Sequence, residues 1–199
     1  MTIRVHAIGD SHMEALGPRL LDALPAARYD VTYEFHRGYN TQRAAEAFSG
    51  SVADVYVVEL GGNDRGDQDM ERAALVRQLR QVNPASRIVW FGPPRAVKAP
   101  FDLYHDQQAA SQGLQFAALT HNASTRFGWF DSRPWTQTGH GPDGVHFTMT
   151  AYRTWAQHMA QGIEQQIHRD NATTWRTSVV LGGAVAFVGL LLWIRTRRR

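Results

Sequence analysis

Strands and helices alternate along residues 1–168, which predicts an α/β domain: a parallel sheet with helices on both faces. Two further observations support that class. The run Val55–Leu60 (VYVVEL) is almost wholly apolar, as in a strand covered on both sides. Four polar clusters fall where ligands of such sheets bind, beyond the carboxyl ends of the strands. They are Gly9-Asp10-Ser11-His12, the run His36 to Thr41, Gly61-Gly62-Asn63-Asp64, and the late loop Asp143-Gly144-Val145-His146. An apolar run at 177–194 predicts a C-terminal transmembrane helix after the domain.

Each element has its own signal. Ile3–Ile8 alternates roughly and reads as the first strand; Met13–Leu24 is amphipathic and reads as a helix. Tyr29–Phe35 alternates as a second strand, and Thr41–Phe48 follows a helical pattern. Val55–Leu60 is the third strand. Asp67–Val82 carries Met70, Ala73, Ala74, Val76, Leu79 and Val82 in helical rhythm. Ile88–Phe91 is the fourth strand, stopped by Gly92-Pro93-Pro94. Ala109–Thr125 reads as a helix, Phe127–Phe130 as a short fifth strand, and Met149–His168 as the last helix of the domain. The segment Arg95–Gln108 has no clear period and reads either as a lid or substrate wall or as a connecting loop. Trp135, beside Pro134, is the best candidate for an exposed aromatic platform.

The chain of 199 residues is 43% hydrophobic and 20% charged, which excludes a disordered or collagen-like chain. It has no cysteine, so a disulfide framework, a thiolate zinc site and a cysteine nucleophile are excluded. The net charge of +3 is uneven. Residues 169–199 hold six arginines against the single acid Asp170, a net of +5, leaving 15 bases against 17 acids for the rest. The body has no basic stripe with interleaved aromatics, so no nucleic-acid partner is expected. Lys98 is the only lysine.

The tail divides further. Residues 169–176 read as a linker, 177–194 as the membrane span and 195–199 (RTRRR) as a basic end. The 17 residues Ser178–Ile194 carry no charge, near the lower limit of about 17–25 for a spanning helix. Trp175 and Trp193 sit near its two ends, where aromatic belts form. A buried core helix is the alternative, but little chain remains to cover one. The arginines favour a cytoplasmic C-terminus with the body outside, whereas the first residues show no signal peptide. The side of the membrane stays open.

The polar clusters suggest nucleophilic chemistry. Ser11 follows the first strand and starts a helix, where backbone N–H groups favour negative charge. A serine needs a base, which His146 can supply, and Asp143 lies three residues earlier to orient the imidazole. The N–H groups of Ser11 and Gly38 and the Asn63 amide would form an oxyanion hole. Each residue has a plainer role available: a helix cap for Ser11, a turn for Gly38 or Asn63, a loop cap for Asp143, a surface position for His146. Their joint order at strand ends favours a site.

These motifs resemble the SGNH (GDSL-type) hydrolases, over about residues 3–165. Gly9-Asp10-Ser11 is similar to the family's first block, with Ser11 as nucleophile, and Gly38 to the second-block glycine. The run Gly38-Tyr39-Asn40-Thr41 resembles the isoamyl-acetate hydrolase branch. Gly61-Gly62-Asn63-Asp64 is similar to the third block, and Asp143-Gly144-Val145-His146 to the fifth; Gly92-Pro93-Pro94 also fits. His12 departs from the leucine common in the family. The resemblance implies a three-layer α/β/α flavodoxin-like sandwich that needs no metal and no cofactor. It implies Ser11, Asp143 and His146 as catalytic, with Ser11, Gly38 and Asn63 holding the oxyanion. The candidate substrate contacts are His12, Tyr39, Asn40 and His140.

The expected activity is hydrolysis of a short-chain acyl ester, acetyl above all, by a membrane-tethered enzyme. The substrate would be an acylated small molecule, polysaccharide or lipid. Two alternatives stand beside it: an O-acyltransferase on the same residues, and a non-catalytic tethered binding or structural module, for example in a phage particle.

Overall fold

The computed structural model describes residues 2–122 and 125–171. Ten strands and α-helices follow one another among these residues: β1 (Ile3–Gly9), α1 (Ser11–Ala23), β2 (Tyr29–Phe35), α2 (Thr41–Ala47), β3 (Val55–Glu59), α3 (Asp69–Val82), β4 (Arg87–Phe91), α4 (Phe101–His121), β5 (Phe127–Phe130) and α5 (149–171). The strands form one sheet in the order β2-β1-β3-β4-β5, every pair parallel. This is the flavodoxin-like order, reversing direction between β1 and β3.

Alternation along each strand assigns the layers, because successive side chains point to opposite faces. Val5, Ala7, Val55, Val57, Val89 and Phe91 pack with α1 and α5. Ile8, Tyr56, Val58, Ile88 and Trp90 pack with α2, α3 and α4. Both faces are covered, which is why the central strands are apolar throughout. A fully buried Val, Leu or Ile contributes about 1.5–3 kcal/mol. The register places the site. Gly9 pairs with Phe35 on one side and Glu59 on the other, so β1, β2 and β3 end level. The loops after them are therefore neighbours.

Two elements differ from the reading of the sequence. α4 starts at Phe101, eight residues before the expected Ala109. Its buried positions are His105, Gln108, Ala109, Gln112 and Phe116, so the inward stripe is largely polar and hides the apolar period. At the other end, helix α5 continues through residue 171. Arg169 Nη2 donates to the Phe127 carbonyl at 2.7 Å, and Arg87 Nε lies 3.1 Å from buried Asp170. Positions 169–171, expected in the linker, thus belong to the folded body. The rest of that linker, the expected span 177–194 and the basic end 195–199 lie outside the described residues. Among the described residues no helix is long and apolar enough to cross a membrane.

Candidate active site

Ser11 is the first residue of α1, and Asp10 caps that helix by accepting the His12 N–H at 3.0 Å. The Ser11 N–H is one of the first-turn donors a helix leaves without an internal acceptor. The Ser11 hydroxyl lies 2.9 Å from His146 Nε2. His146 Nδ1 lies 2.6 Å from Asp143 Oδ2. The carboxylate requires the proton on Nδ1, which leaves Nε2 as acceptor for the serine hydroxyl. Asp143 Oδ1 also accepts the N–H groups of Val145 and His146, at 3.0 and 2.9 Å, winding 143–146 into a tight turn. Bonds from the His146 ring and the Val145 amide hold the Asp143 carboxyl well below the usual range, so it stays charged.

Asn63 and Gly38 complete the group. The Asn63 Nδ2 donates one hydrogen to Asp10 Oδ2 at 2.9 Å and keeps its second for the cleft. Gly38 has φ +73, a left-handed backbone that glycine adopts without strain. Asp64 ties the two loops together. It accepts the Thr41 N–H at 2.8 Å and the Thr41 hydroxyl at 2.9 Å, and buried Arg72 stands 3.6 Å away. Ser11, Gly38, Asn63 and His146 all line one cleft of about 860 Å³.

No family model matches the chain, and no curated protein matches it. Solved structures do. An acetyl esterase variant holding an acetate ion is similar at TM-score 0.68 and 15% identity, over 84% of this chain and 99% of that one. A carbohydrate esterase family 3 structure from Talaromyces cellulolyticus gives 0.65 and 14%, over 84% and 99%. An inhibitor-bound aryl esterase from M. smegmatis gives 0.62 and 16%, over 83% and 100%. The chain has the fold of these esterase and lipase structures, which is consistent with the fold expected of an SGNH (GDSL-type) hydrolase.

Within that fold, the expected substrate contacts separate. His12 lines the cleft but is buried, its Nδ1 sharing a 3.0 Å hydrogen bond with the Tyr152 hydroxyl. Burial, with His146 and His105 nearby, pushes its pKa well below the ordinary value, so it stays neutral beside the His146 ring, 5.1 Å away. Tyr39, Asn40 and His140 are not brought to the cleft. Tyr39 stacks on His36 at 4.8 Å, and Asn40 caps α2 by accepting the Arg43 N–H. His140 Nε2 donates to the Arg95 carbonyl at 2.8 Å and its ring packs on Phe147. Trp135 is half-buried against Phe91 and Phe130 and stacks on His158, so it offers no free platform.

Sequence reasoning missed His105. It lies on the inner face of α4, with Nδ1 donating to the Pro94 carbonyl at 2.7 Å, and it lines the cleft. The same face steadies the Asn63 loop. Gln112 donates to the Leu60 carbonyl and Gln108 to the Gly66 carbonyl, each at 2.9 Å. Gly61, at φ +125, leaves room for Gln112, whose Nε2 would lie 2.3 Å from an added Cβ. The spacing 105, 108, 112 was the available signal: polar side chains on one helical stripe.

Two buried carboxyls stand behind the site. Asp10 is 1% exposed, and burial pushes its pKa up to about 7 against the bonds from His12 and Asn63. Glu59 is fully buried, and neither of its oxygens is hydrogen-bonded within the protein. Burial, then the Asp10 charge, raises its pKa well above the ordinary value.

Proposed function

We propose that this chain is a serine ester hydrolase acting on a short acyl ester, acetyl above all. One observation carries the reading: a serine at a helix N-terminus, bonded to an imidazole that is itself bonded to a carboxylate. Structural neighbours that are esterases and lipases support it. An acetyl esterase among the similar structures supports the acetyl reading.

The steps follow from the geometry. Ser11 Oγ attacks the acyl carbon while His146 Nε2 takes its proton. Asp143 stabilises the imidazolium that forms. The N–H groups of Ser11 and Gly38 and the free Asn63 hydrogen receive the charge on the carbonyl oxygen. The tetrahedral intermediate expels the alcohol, which takes the proton from Nε2. Water then attacks the acyl-serine with His146 as base and releases the acid. The uncharged run 177–194 is proposed to tether this domain to a membrane.

The test is fluorophosphonate labelling of the full chain alongside 4-nitrophenyl acetate turnover. One label on Ser11, with turnover, is the expected result. No label and no turnover sinks the reading and leaves the binding module. Acyl transfer to added sugar alcohols in preference to water would convert it to an acyltransferase.

Asp10 acts here as a positioning residue for Asn63. An asparagine at position 10 offers one acceptor where the carboxylate offers two, so its amide faces either the His12 or the Asn63 donor. Asp10→Asn is expected to lower kcat about ten-fold or more with little change in KM. A raised KM at unchanged kcat would contradict that role.

A further inference from the structure

Three cations and three carboxylates line the cleft: Arg19, Arg37 and Lys98, with Asp10, Glu14 and Asp143. Most are spoken for. Arg37 clamps Glu14 through two bonds, Nε to Oε2 at 2.7 Å and Nη2 to Oε1. Asp143 holds His146, and Asp10 holds His12 and Asn63. Arg19 and Lys98 have no carboxylate partner among the described residues.

Both are placed by the fold. Ser11, Ala15 and Arg19 line the cleft at positions i, i+4 and i+8, one stripe of α1. Arg19 therefore stands about 12 Å along the helix from Ser11, within reach of a substrate larger than a simple acetate ester. Lys98 is held against the turn that carries Asp143 and His146. Val97 N–H donates to the Gly144 carbonyl at 2.9 Å, and a Cβ on Gly144 would come within 2.9 Å of Lys98 Cβ. Phe101, Val145 and Met149 add apolar surface to the same cleft. The chain uses arginine for 20 of its 21 basic residues, and its single lysine is at this cleft.

We propose that the cleft selects an ester carrying an anionic group, a carboxylate or phosphate, which pairs with Lys98 and Arg19. The proposal rests on the ester-hydrolase reading of Ser11. Lys98 is exposed and Arg19 half-buried at the cleft wall, so each pair is worth little alone and two together give a preference of about ten-fold.

The test compares charged esters with their neutral methyl-ester counterparts on the full chain. Mono-4-nitrophenyl adipate carries a carboxylate on the acyl side, and 4-acetoxybenzoate carries one on the alcohol side. The expected result is about ten-fold higher kcat/KM for one charged ester at low salt. That preference should collapse in about 0.5 M NaCl, where charges are screened within a few ångströms. It should also collapse in the Lys98→Met, Arg19→Gln double variant. The side on which it appears assigns the anion to the acid or the alcohol. A charged ester no better than its counterpart overturns the proposal, as does a preference that survives the double variant. Turnover of neutral esters with no preference sinks this inference alone. Absence of both turnover and Ser11 labelling removes the hydrolase reading and this inference with it.

Discussion

Ser11→Ala is expected to lower kcat for ester hydrolysis by about 10⁴- to 10⁶-fold, or about 5.5–8 kcal/mol of barrier, with the fold intact. The loss is large because, in the proposed mechanism, the hydroxyl is the group that forms the new bond. The fold should survive because the Ser11 side chain is only half-buried and its one hydrogen bond within the protein is to His146 Nε2. Truncation therefore strands no buried polar group. The comparison with His146→Ala is equally informative. If serine and imidazole act as a unit, the double variant is no worse than either single one. Rates on 4-nitrophenyl acetate, normalised by protein folded as judged by circular dichroism, measure all three. Ser11→Ala retaining more than about a hundredth of the wild-type rate would mean that another group attacks.

Much of this was legible in the sequence, and the failures share a cause. The sheet was readable because both faces are covered: Val55–Glu59 is apolar except for its last residue, and glycines mark the ends of β1, β3 and β4. The candidate reacting groups were readable because Ser11 and Asn63 closely follow β1 and β3, and Asp143 stands three residues before His146 in one turn. What escaped was polar side chains turned inward. His105, Gln108 and Gln112 face the core of α4 and serve the Asn63 loop, so a reading based on apolar period started the helix at Ala109. Asp170 is buried near the end of α5, so a charged stretch that looked like linker is part of the body. The reverse error placed Tyr39, Asn40 and His140 in the cleft because they neighbour Gly38 and Asp143 in sequence. Their hydrogen bonds and stacking turn them to His36, Arg43 and Arg95 instead.

Glu59 is the clearest inward polar group, and Glu59→Gln is expected to stabilise the protein as pH rises. Glu59 ends β3 in register with Gly9, so the β1–β3 pairing sets it beside Asp10 in a buried layer. Its folded pKa lies well above the unfolded value of about 4.3. The folded state thus keeps a proton that the unfolded state has released. Stability falls as pH rises above about 4, by about 1.36 kcal/mol per unit, until the folded group itself ionises. Asp10 adds the same sign up to about 7. Glutamine keeps the shape and cannot ionise, so it removes only the Glu59 part of the slope. The variant should match wild type near pH 4.5 and exceed it by a margin that grows as pH rises toward 8. Urea unfolding of both proteins from pH 4.5 to 8 measures it, and parallel curves would show that Glu59 titrates as an ordinary acid. Activity should separate the two carboxyls. Asp10 holds Asn63 directly, whereas Glu59 bonds to nothing in the site. Loss of Glu59 therefore leaves the Asn63 anchor in place, and kcat is expected to change far less than in Asp10→Asn.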